Sequence, residues 1–401
     1  SKVIIVGAGI AGPVLAIFLK MKGYAPIIYE RLPGPTESGL SFMLQPNGLR
    51  VLSLIPGLVE KIPGQPPHGQ IHCSSLDGFE EVLVDEDFST MTQLFGFPLI
   101  GARRPEFHRL LIETAQQYGI DVVWGHQAID FEQGDGEVHV KFANETSDTA
   151  SFVVGCDGLH SDTRTALFGR ENADFTGLVQ FGGLSPSPPA LQGKYAFVNN
   201  YGNGKHMVAY PVSPDSYSWA VTLPEPEAKE EWRSQNTKEQ DEIRRGSLSD
   251  WGFGAGELVR TGVKIVKYGL YDRPELESWF RGRVVLLGDA AHPTSPHLGQ
   301  GANQALEDIY HLVRLLKKHN PSASQPSTTT LEQVFQEYQG LRIPVTTKLV
   351  KEARKRGEVR VVSGVEACKR RNELVKAAFS DGGLMKAQAE LLSGPFKESE
   401  L

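Results

Sequence analysis

The opening of the chain constrains its fold more than any other stretch. Lys2–Val6 is a short apolar run, followed by Gly7-Ala8-Gly9-Ile10-Ala11-Gly12. Pro13–Lys22 then carries apolar residues at helical spacing, Gly23 stops it, and Ala25–Tyr29 is a second apolar run. Strand, turn, helix and strand in that order make a βαβ unit, which implies a parallel sheet. In G-x-G-x-x-G the first glycine permits the tight turn and the second lets the backbone approach a pyrophosphate. The third lets the helix pack closely on the strand. The phosphates then meet a helix N-terminus, whose unpaired N–H groups and dipole favour anions. Glu30 ends the second strand and Arg31 adjoins it. A carboxylate there accepts hydrogen bonds from both ribose hydroxyls of an adenosine and repels a 2′-phosphate. The plain alternative is a glycine turn beside a surface glutamate. With strand and helix on either side, a dinucleotide site is the better reading, although the motif does not say which dinucleotide.

The rest of the chain interrupts this sheet and returns to it. Pro46–Leu54 and Pro105–Tyr118 have helical patterns, and Asp121–Trp124, Ala128–Glu132, Val138–Phe142 and Ser151–Gly155 read as strands. Gln70–Leu99 is broken by Gly and Asp into short strands of a second sheet. Leu178–Leu223 continues it with turns at Asn203-Gly204 and Pro214-Asp215. The highly charged Glu225–Arg245 is expected to be a solvated helix. Arg283–Leu287 is a third buried strand, a helix starts near Gln300, and Asn320–Thr330 is a loop. Leu331–Lys355 and Val365–Leu392 are expected helices, and Lys369-Arg370-Arg371 a solvated face. The fold class is therefore α/β: a Rossmann-like dinucleotide domain with an inserted β-sheet domain and C-terminal helices. The expected division is 1–70, 100–175 and 265–330 for the first, 71–99 and 176–264 for the second, and 331–401 for the helical region.

Two later segments narrow the ligand. One is Gly155-Cys156-Asp157-Gly158-Leu159-His160-Ser161, with Arg164 beyond. The other is Gly288-Asp289-Ala290-Ala291-His292-Pro293, continuing through Pro296 to Gly299-Gln300-Gly301-Ala302-Asn303. Both follow apolar runs, where ligand residues of an α/β sheet are found. Singly, Asp157-Gly158 could be a turn and Asp289 a helix cap. Together and in this order, they resemble the single-component FAD-dependent aromatic hydroxylases, the group of p-hydroxybenzoate and salicylate hydroxylases, over residues 2–350.

That resemblance implies a p-hydroxybenzoate hydroxylase-like fold and tightly bound FAD, with Glu30 on the ribose. It matches Arg104 to the arginine that opens an R-x-x-L-x-x-x-L helix and reaches FAD. Phe107 replaces the first leucine, Leu111 matches the second, and Arg103 is the neighbouring candidate. Asp157 corresponds to an aspartate associated with FAD and nicotinamide binding, and Asp289 to the one that bonds the ribityl chain. Gly299, Gly301, Ala302 and Asn303 correspond to the loop whose N–H groups face the flavin pyrimidine edge. Gly39–Phe42 stands where the family has G-A-G-I, with Ser41 as a departure.

The chain holds no second glycine fingerprint, so NADH or NADPH is expected as a visiting reductant. In the family, O2 then forms a flavin C4a-hydroperoxide that oxygenates an electron-rich carbon. A phenolic substrate attacks better as phenolate, so a base or proton relay is expected. His206 and Tyr210 lie four apart on the strand pattern Lys205–Val212 and so share a face. Their His-x-x-x-Tyr-Pro segment resembles that of salicylate-like hydroxylases. His297 lies between Pro296 and the Gly299 turn, where it would gate the pocket or contact substrate; His292 is expected to be structural. Phe181, Phe197, Met207, Trp219 and Phe253 either line a cavity or fill the core, and core is the safer reading.

The leading function is NAD(P)H- and FAD-dependent hydroxylation of a phenolic or heteroaromatic substrate. An alternative is epoxidation or hydroxylation of a larger natural product such as an indole alkaloid or polyketide. A third, of another class, is a non-oxygenating flavin dehydrogenase or flavin-binding sensor. The net charge of −7 argues against nucleic acid as a partner. No apolar run approaches the ~20 residues needed to span a bilayer. The 3 cysteines fit neither a metal motif nor a disulfide framework, so no metal is expected and a reducing, cytoplasmic setting is. The oligomeric state is open, with a homodimer as the candidate assembly.

Overall fold

A computed structural model of the chain describes residues 1–37, 39–226, 233–380 and 383–401. The first strand, Lys2–Val6, sits in the middle of a six-stranded sheet. It pairs in parallel with Ala25–Glu30 on one side and Phe152–Gly155 on the other. Val122–Trp124 and Val284–Leu286 extend the sheet in parallel, and only Phe280–Arg281 runs antiparallel. Strands of this kind are apolar on both faces because helices cover both; Val3, Ile4 and Ile5 are fully buried. The Ala11–Met21 helix accepts Pro13 because it falls in the first turn, where an N–H has no partner within the helix.

A second, eight-stranded sheet lies apart from the first. Asp174–Pro186 and Ser216–Pro224 form its longest antiparallel ladder. The Gly69–Leu76/Phe79–Asp87 hairpin joins it through parallel pairing of Gly69–Leu76 with Ala196–Tyr201. Trp219 anchors the core of this layer at 1% exposure, its indole N–H donating to Ser185 Oγ at 2.8 Å. Phe181 and Met207 pack in the same cluster, and Phe253 lies against it. A small three-stranded sheet, Ser41–Leu44, Ile100–Arg103 and Gly64–Gln65, stands between the two layers.

Several expectations need correcting. Within Gln70–Leu99, Met91–Phe95 is a short helix, not a strand. The charged stretch 225–245 is helical only at Thr237–Arg245, where Asn236 and Glu239 form a capping box; Arg233–Ser234 pairs as a strand, and 227–232 lie outside the described residues. The loop expected at 320–330 ends early, because Ser327 caps a helix that starts at Thr328. Val365–Leu392 comprises two helices, Val365–Ser380 and Gly383–Ser393. Its Lys369-Arg370-Arg371 run is not a uniformly solvated face: Arg371 is 2% exposed and donates to the Gly202 carbonyl at 3.0 Å.

The Thr328–Arg360 helix has 33 residues and so runs roughly 50 Å. It packs along the Gly301–His319 helix beside the first sheet, and its last turns reach the second sheet. No helix among the described residues is long and apolar enough to cross a membrane.

Candidate active site

The glycine turn has the geometry its sequence implies. Gly7 adopts φ +105°, and a Cβ there would lie 2.5 Å from the Cys156 carbonyl oxygen. A Cβ on Gly12 would lie 2.0 Å from the Gly7 carbonyl oxygen, so the helix approaches the strand too closely for any side chain. Gly9 has nothing within 4 Å of the corresponding position and opens onto a cleft of about 790 Å³. Ile10 provides no side-chain cap for the helix that begins at Ala11, which leaves first-turn N–H groups facing that end.

Glu30 lines the cleft with both oxygens engaged: Oε2 accepts from Ala8 N–H at 2.8 Å and Oε1 from Leu32 N–H at 2.9 Å. Each keeps a lone pair for a ribose hydroxyl. Arg31 reaches Asp162 across the rim at 3.9 Å. Trp124, His126 and His108 complete the wall, and none was singled out from sequence. The Asp121–Trp124 strand was the available signal for the first two, since its C-terminal end must emerge beside Glu30. His108 holds the Ala8 carbonyl at 2.6 Å, and burial keeps its imidazole below the usual range.

Arg104, not Arg103, faces the cleft. Arg103 is paired with Glu106 at 2.6 Å, whereas Arg104 lies over Gly39, where a Cβ would come within 2.7 Å of its Cδ. Asp157 also lines the cleft, but its carboxylate is spent locally on Ser161 Oγ at 2.6 Å and Thr163 N–H at 2.9 Å. It therefore shapes the loop and caps the following helix. Asp289 is surrounded by protein yet open to solvent; burial raises its carboxyl pKa against the pull of His292 and Arg104. Gly301 adjoins it, the Gly301 Cβ position being 3.7 Å from Asp289 Oδ1. The Gly301–His319 helix also lacks a side-chain cap, so the N–H groups of Gly301, Ala302 and Asn303 have no partner within the helix. Gly299 makes the preceding turn at φ +63°.

The Asn303 side chain is a clamp. It accepts from Gln45 N–H at 3.0 Å and donates to the Met43 and Gly299 carbonyls at 3.0 and 2.9 Å. Beneath the Gly288-Asp289 turn lies a network the sequence reading missed. Asp308 accepts from Gly288 N–H at 3.0 Å, His292 at 2.5 Å and Arg342 at 2.6 Å. Arg342 also meets Glu307 at 3.0 Å.

His206 and Tyr210 are not brought together. Tyr210 hydroxyl bonds Ser41 Oγ at 2.8 Å, and its ring stacks on Phe197 with centroids 5.9 Å apart. Burial pushes its phenol up to about 12. His206 lies at the other end of its strand, against Tyr201 and 3.2 Å from Asn199 Oδ1. Burial, reinforced by Arg360, holds it well below the usual histidine range. His297 joins that second group; burial and Arg360 bring it down to about 3. Among the described residues no cluster could hold a metal ion.

The open glycine cradle, the two uncapped helix ends and the paired carboxylates fit a dinucleotide that runs from Glu30 to Asp289. The family model described as FAD binding domain matches residues 1–377. The chain belongs to that family. It is an FAD-dependent monooxygenase of the aromatic hydroxylase group. The monooxygenase is 28% identical over 382 residues to a 3-amino-4-hydroxybenzoate 2-monooxygenase of Streptomyces cremeus, covering 94% of this chain and 92% of that one. It is 28% identical over 325 residues to a 6-hydroxynicotinate 3-monooxygenase of Pseudomonas fluorescens, covering 79% and 83%. Its fold matches that of Klebsiella pneumoniae HpxO complexed with FAD and uric acid, with a TM-score of 0.83, 22% identity and coverage of 98% and 97%.

Proposed function

We propose that this monooxygenase hydroxylates a small, electron-rich aromatic ring, with NADH or NADPH as reductant and O2 as co-substrate, between the first sheet and the Tyr210 end of the second. The observation that carries the reading is the Ser41–Tyr210 hydrogen bond, which ties the second sheet to the strand beside Arg104. The relatives named for aminohydroxybenzoate and hydroxynicotinate point to the same substrate size. Residues 1–70, 100–175 and 273–330 would make the FAD-binding part, 71–99 and 176–272 the substrate layer, and 331–401 the helical region; the expected boundary at 265 moves because Val263–Asp272 pairs with Asp174–Pro186 in the second sheet.

FAD, when bound, takes up the reductant's electrons and activates O2. The protein does the rest. Gly7, Gly9, Ile10, Ala11 and Gly12 bind the pyrophosphate; Glu30 and Arg31 bind the adenosine end. Arg104, Asp157 and Asp289 would hold the middle and flavin end, and the N–H groups of Gly301–Asn303 would favour negative charge there. A phenol of pKa about 12 stays protonated at neutral pH, so Tyr210 serves as a relay that passes the substrate's proton toward Ser41. His206, kept neutral by burial, contributes shape and not a proton, and His297 borders the pocket through its position before Gly299.

The test is O2 uptake and product mass with the yellow holoenzyme, NAD(P)H and a panel of hydroxylated benzoates, pyridines and neutral phenols. One added oxygen atom is expected. Tyr210→Phe is expected to leave FAD bound while lowering product formed per NAD(P)H; unchanged rate and coupling would remove Tyr210 from the relay.

A further inference from the structure

The last turns of the Thr328–Arg360 helix carry two arginines, Arg356 and Arg360, four apart and therefore on one face. That face meets the loop before Gly299 and the second sheet at once. Gly357 is the point of closest approach: a Cβ there would lie 2.4 Å from His297 Nε2. Arg360 donates to the His297 carbonyl at 3.0 Å and to Asn199 Oδ1 at 3.3 Å. Arg371 comes in from the next helix, its guanidinium carbon 5.1 Å over the Tyr201 ring. His72 Nδ1 is 3.2 Å from the Tyr201 hydroxyl, and the His206 ring centroid lies 4.8 Å from that of Tyr201.

The group thus holds three guanidiniums among four aromatic or imidazole rings. No carboxylate is ion-paired with any of the three among the described residues. Two other buried arginines are matched by carboxylates: Arg164 has Glu171, and Arg342 has Glu307 and Asp308. Arg283 uses its terminal nitrogens on the Ser151 and Pro326 carbonyls. Arg371 is likewise satisfied by the Gly202 carbonyl and Asn372. Arg356 has no hydrogen-bond or ion-pair partner among the described residues and is half-buried. Burial lowers its guanidinium pKa, with Tyr201 and Glu352 as the groups pulling the other way. Packing uncompensated positive charge here is costly unless an anion completes it.

We propose that Arg356 and Arg360 form an anion subsite that takes a carboxylate of the aromatic substrate and thereby orients its ring between His297 and the Tyr210 end of the His206–Ser213 strand. The planar fork of a guanidinium matches a carboxylate in two-point contact. This inference rests on the aromatic-hydroxylase reading and adds the charge of the substrate and the residues that select it.

The probes are 6-hydroxynicotinate and 3-amino-4-hydroxybenzoate, each with its uncharged primary amide. Binding to the FAD holoenzyme is read from perturbation of the flavin spectrum, and its effect from the rate of anaerobic flavin reduction by NAD(P)H. At least one acid is expected to bind about tenfold or more tightly than its amide, the range of a charge-assisted hydrogen bond. Arg356→Gln breaks no hydrogen bond among the described residues, so it should keep FAD and fold while abolishing most of that preference; Arg356→Lys should retain part of it. Arg360→Gln should act in the same direction, with FAD content as its folding control. The subsite is overturned if acids and amides bind alike, if the preference survives Arg356→Gln, or if neither acid perturbs the flavin. Oxygenation of a neutral phenol alone would overturn the subsite and leave the hydroxylase reading standing. Absence of any oxygenated product would sink that reading instead.

Discussion

Arg342→Met tests the reasoning about buried charge most directly. Arg342 is 2% exposed and Asp308 is 0% exposed. The arginine neutralises two carboxylates, through Nε to Asp308 at 2.6 Å and Nη1 to Glu307 at 3.0 Å. It also donates to Gln304 Oε1 at 2.6 Å. Methionine has similar length and no charge, so the substitution leaves both carboxylates buried without the guanidinium that pairs with them. Breaking a buried pair from one side costs about 3–5 kcal/mol. Despite burial, the His292 and Arg342 charges hold the Asp308 carboxyl down at about 2. A group depressed in this way contributes stability that is complete above its unfolded value. That contribution fades as pH falls through its folded value. In Arg342→Met the same burial acts without the guanidinium, so the Asp308 carboxyl rises and takes up a proton in the folded state. The mutant's deficit is therefore largest near pH 8 and shrinks toward pH 5.

The assay is thermal unfolding of the holoenzyme between those pH values, with FAD content measured in parallel. A drop of about 2 °C per kcal/mol is expected at the upper pH. FAD affinity should fall as well, because Asp308 holds the Gly288 N–H at the turn before Asp289. A melting temperature equal to wild type, or a deficit that does not change with pH, would refute the account of Arg342 as a neutralising cation.

Gly12→Ala should yield colourless protein, because the added carbon would sit 2.0 Å from a backbone oxygen that cannot move aside; flavin content of the purified protein checks this. Asn303→Ala strands one donor and two acceptors, at about 1–3 kcal/mol for each buried group left unpaired, so FAD affinity by fluorescence titration should fall at least about tenfold. Gly357→Ala should displace the His297 ring and slow substrate-stimulated flavin reduction while leaving FAD affinity nearly unchanged; stopped-flow reduction rates decide it.

The parts of the fold that were legible share one property: their signal is local. The glycine turn and the apolar runs of the parallel strands depend on neighbours a few residues away. The same holds for Glu30, whose place follows from ending a strand next to that turn. What was not legible depends on contacts across the chain. Asp157 lines the cleft, but that its oxygens also accept from Ser161 and Thr163 could not be read from its motif. Tyr210 and His206 share a face of one strand, as their spacing requires, but the strand is long enough to carry them into different neighbourhoods. One meets Ser41 and the other meets Arg360.

Charged residues on the C-terminal helices are where pattern says least, and the solvated face expected at Lys369-Arg370-Arg371 is the case that failed. A run such as Lys369-Arg370-Arg371, or an arginine in Leu331–Lys355, has the composition of a solvated face, and pattern alone cannot distinguish it from a buried ion network. The difference lies in what packs against the helix. Because Thr328–Arg360 continues beyond the first sheet and reaches the second, it buries charge at both ends of its course. At Arg342 the neighbours are carboxylates beneath the Gly288-Asp289 turn. At Arg356 and Arg360 they are rings and a backbone carbonyl beside the Gly299 loop. One rigid element thus touches the support of the flavin end and the wall of the substrate layer. The first contact is closed by protein carboxylates and, among the described residues, the second is not; that asymmetry is what the proposed anion subsite at the far end of the helix would complete.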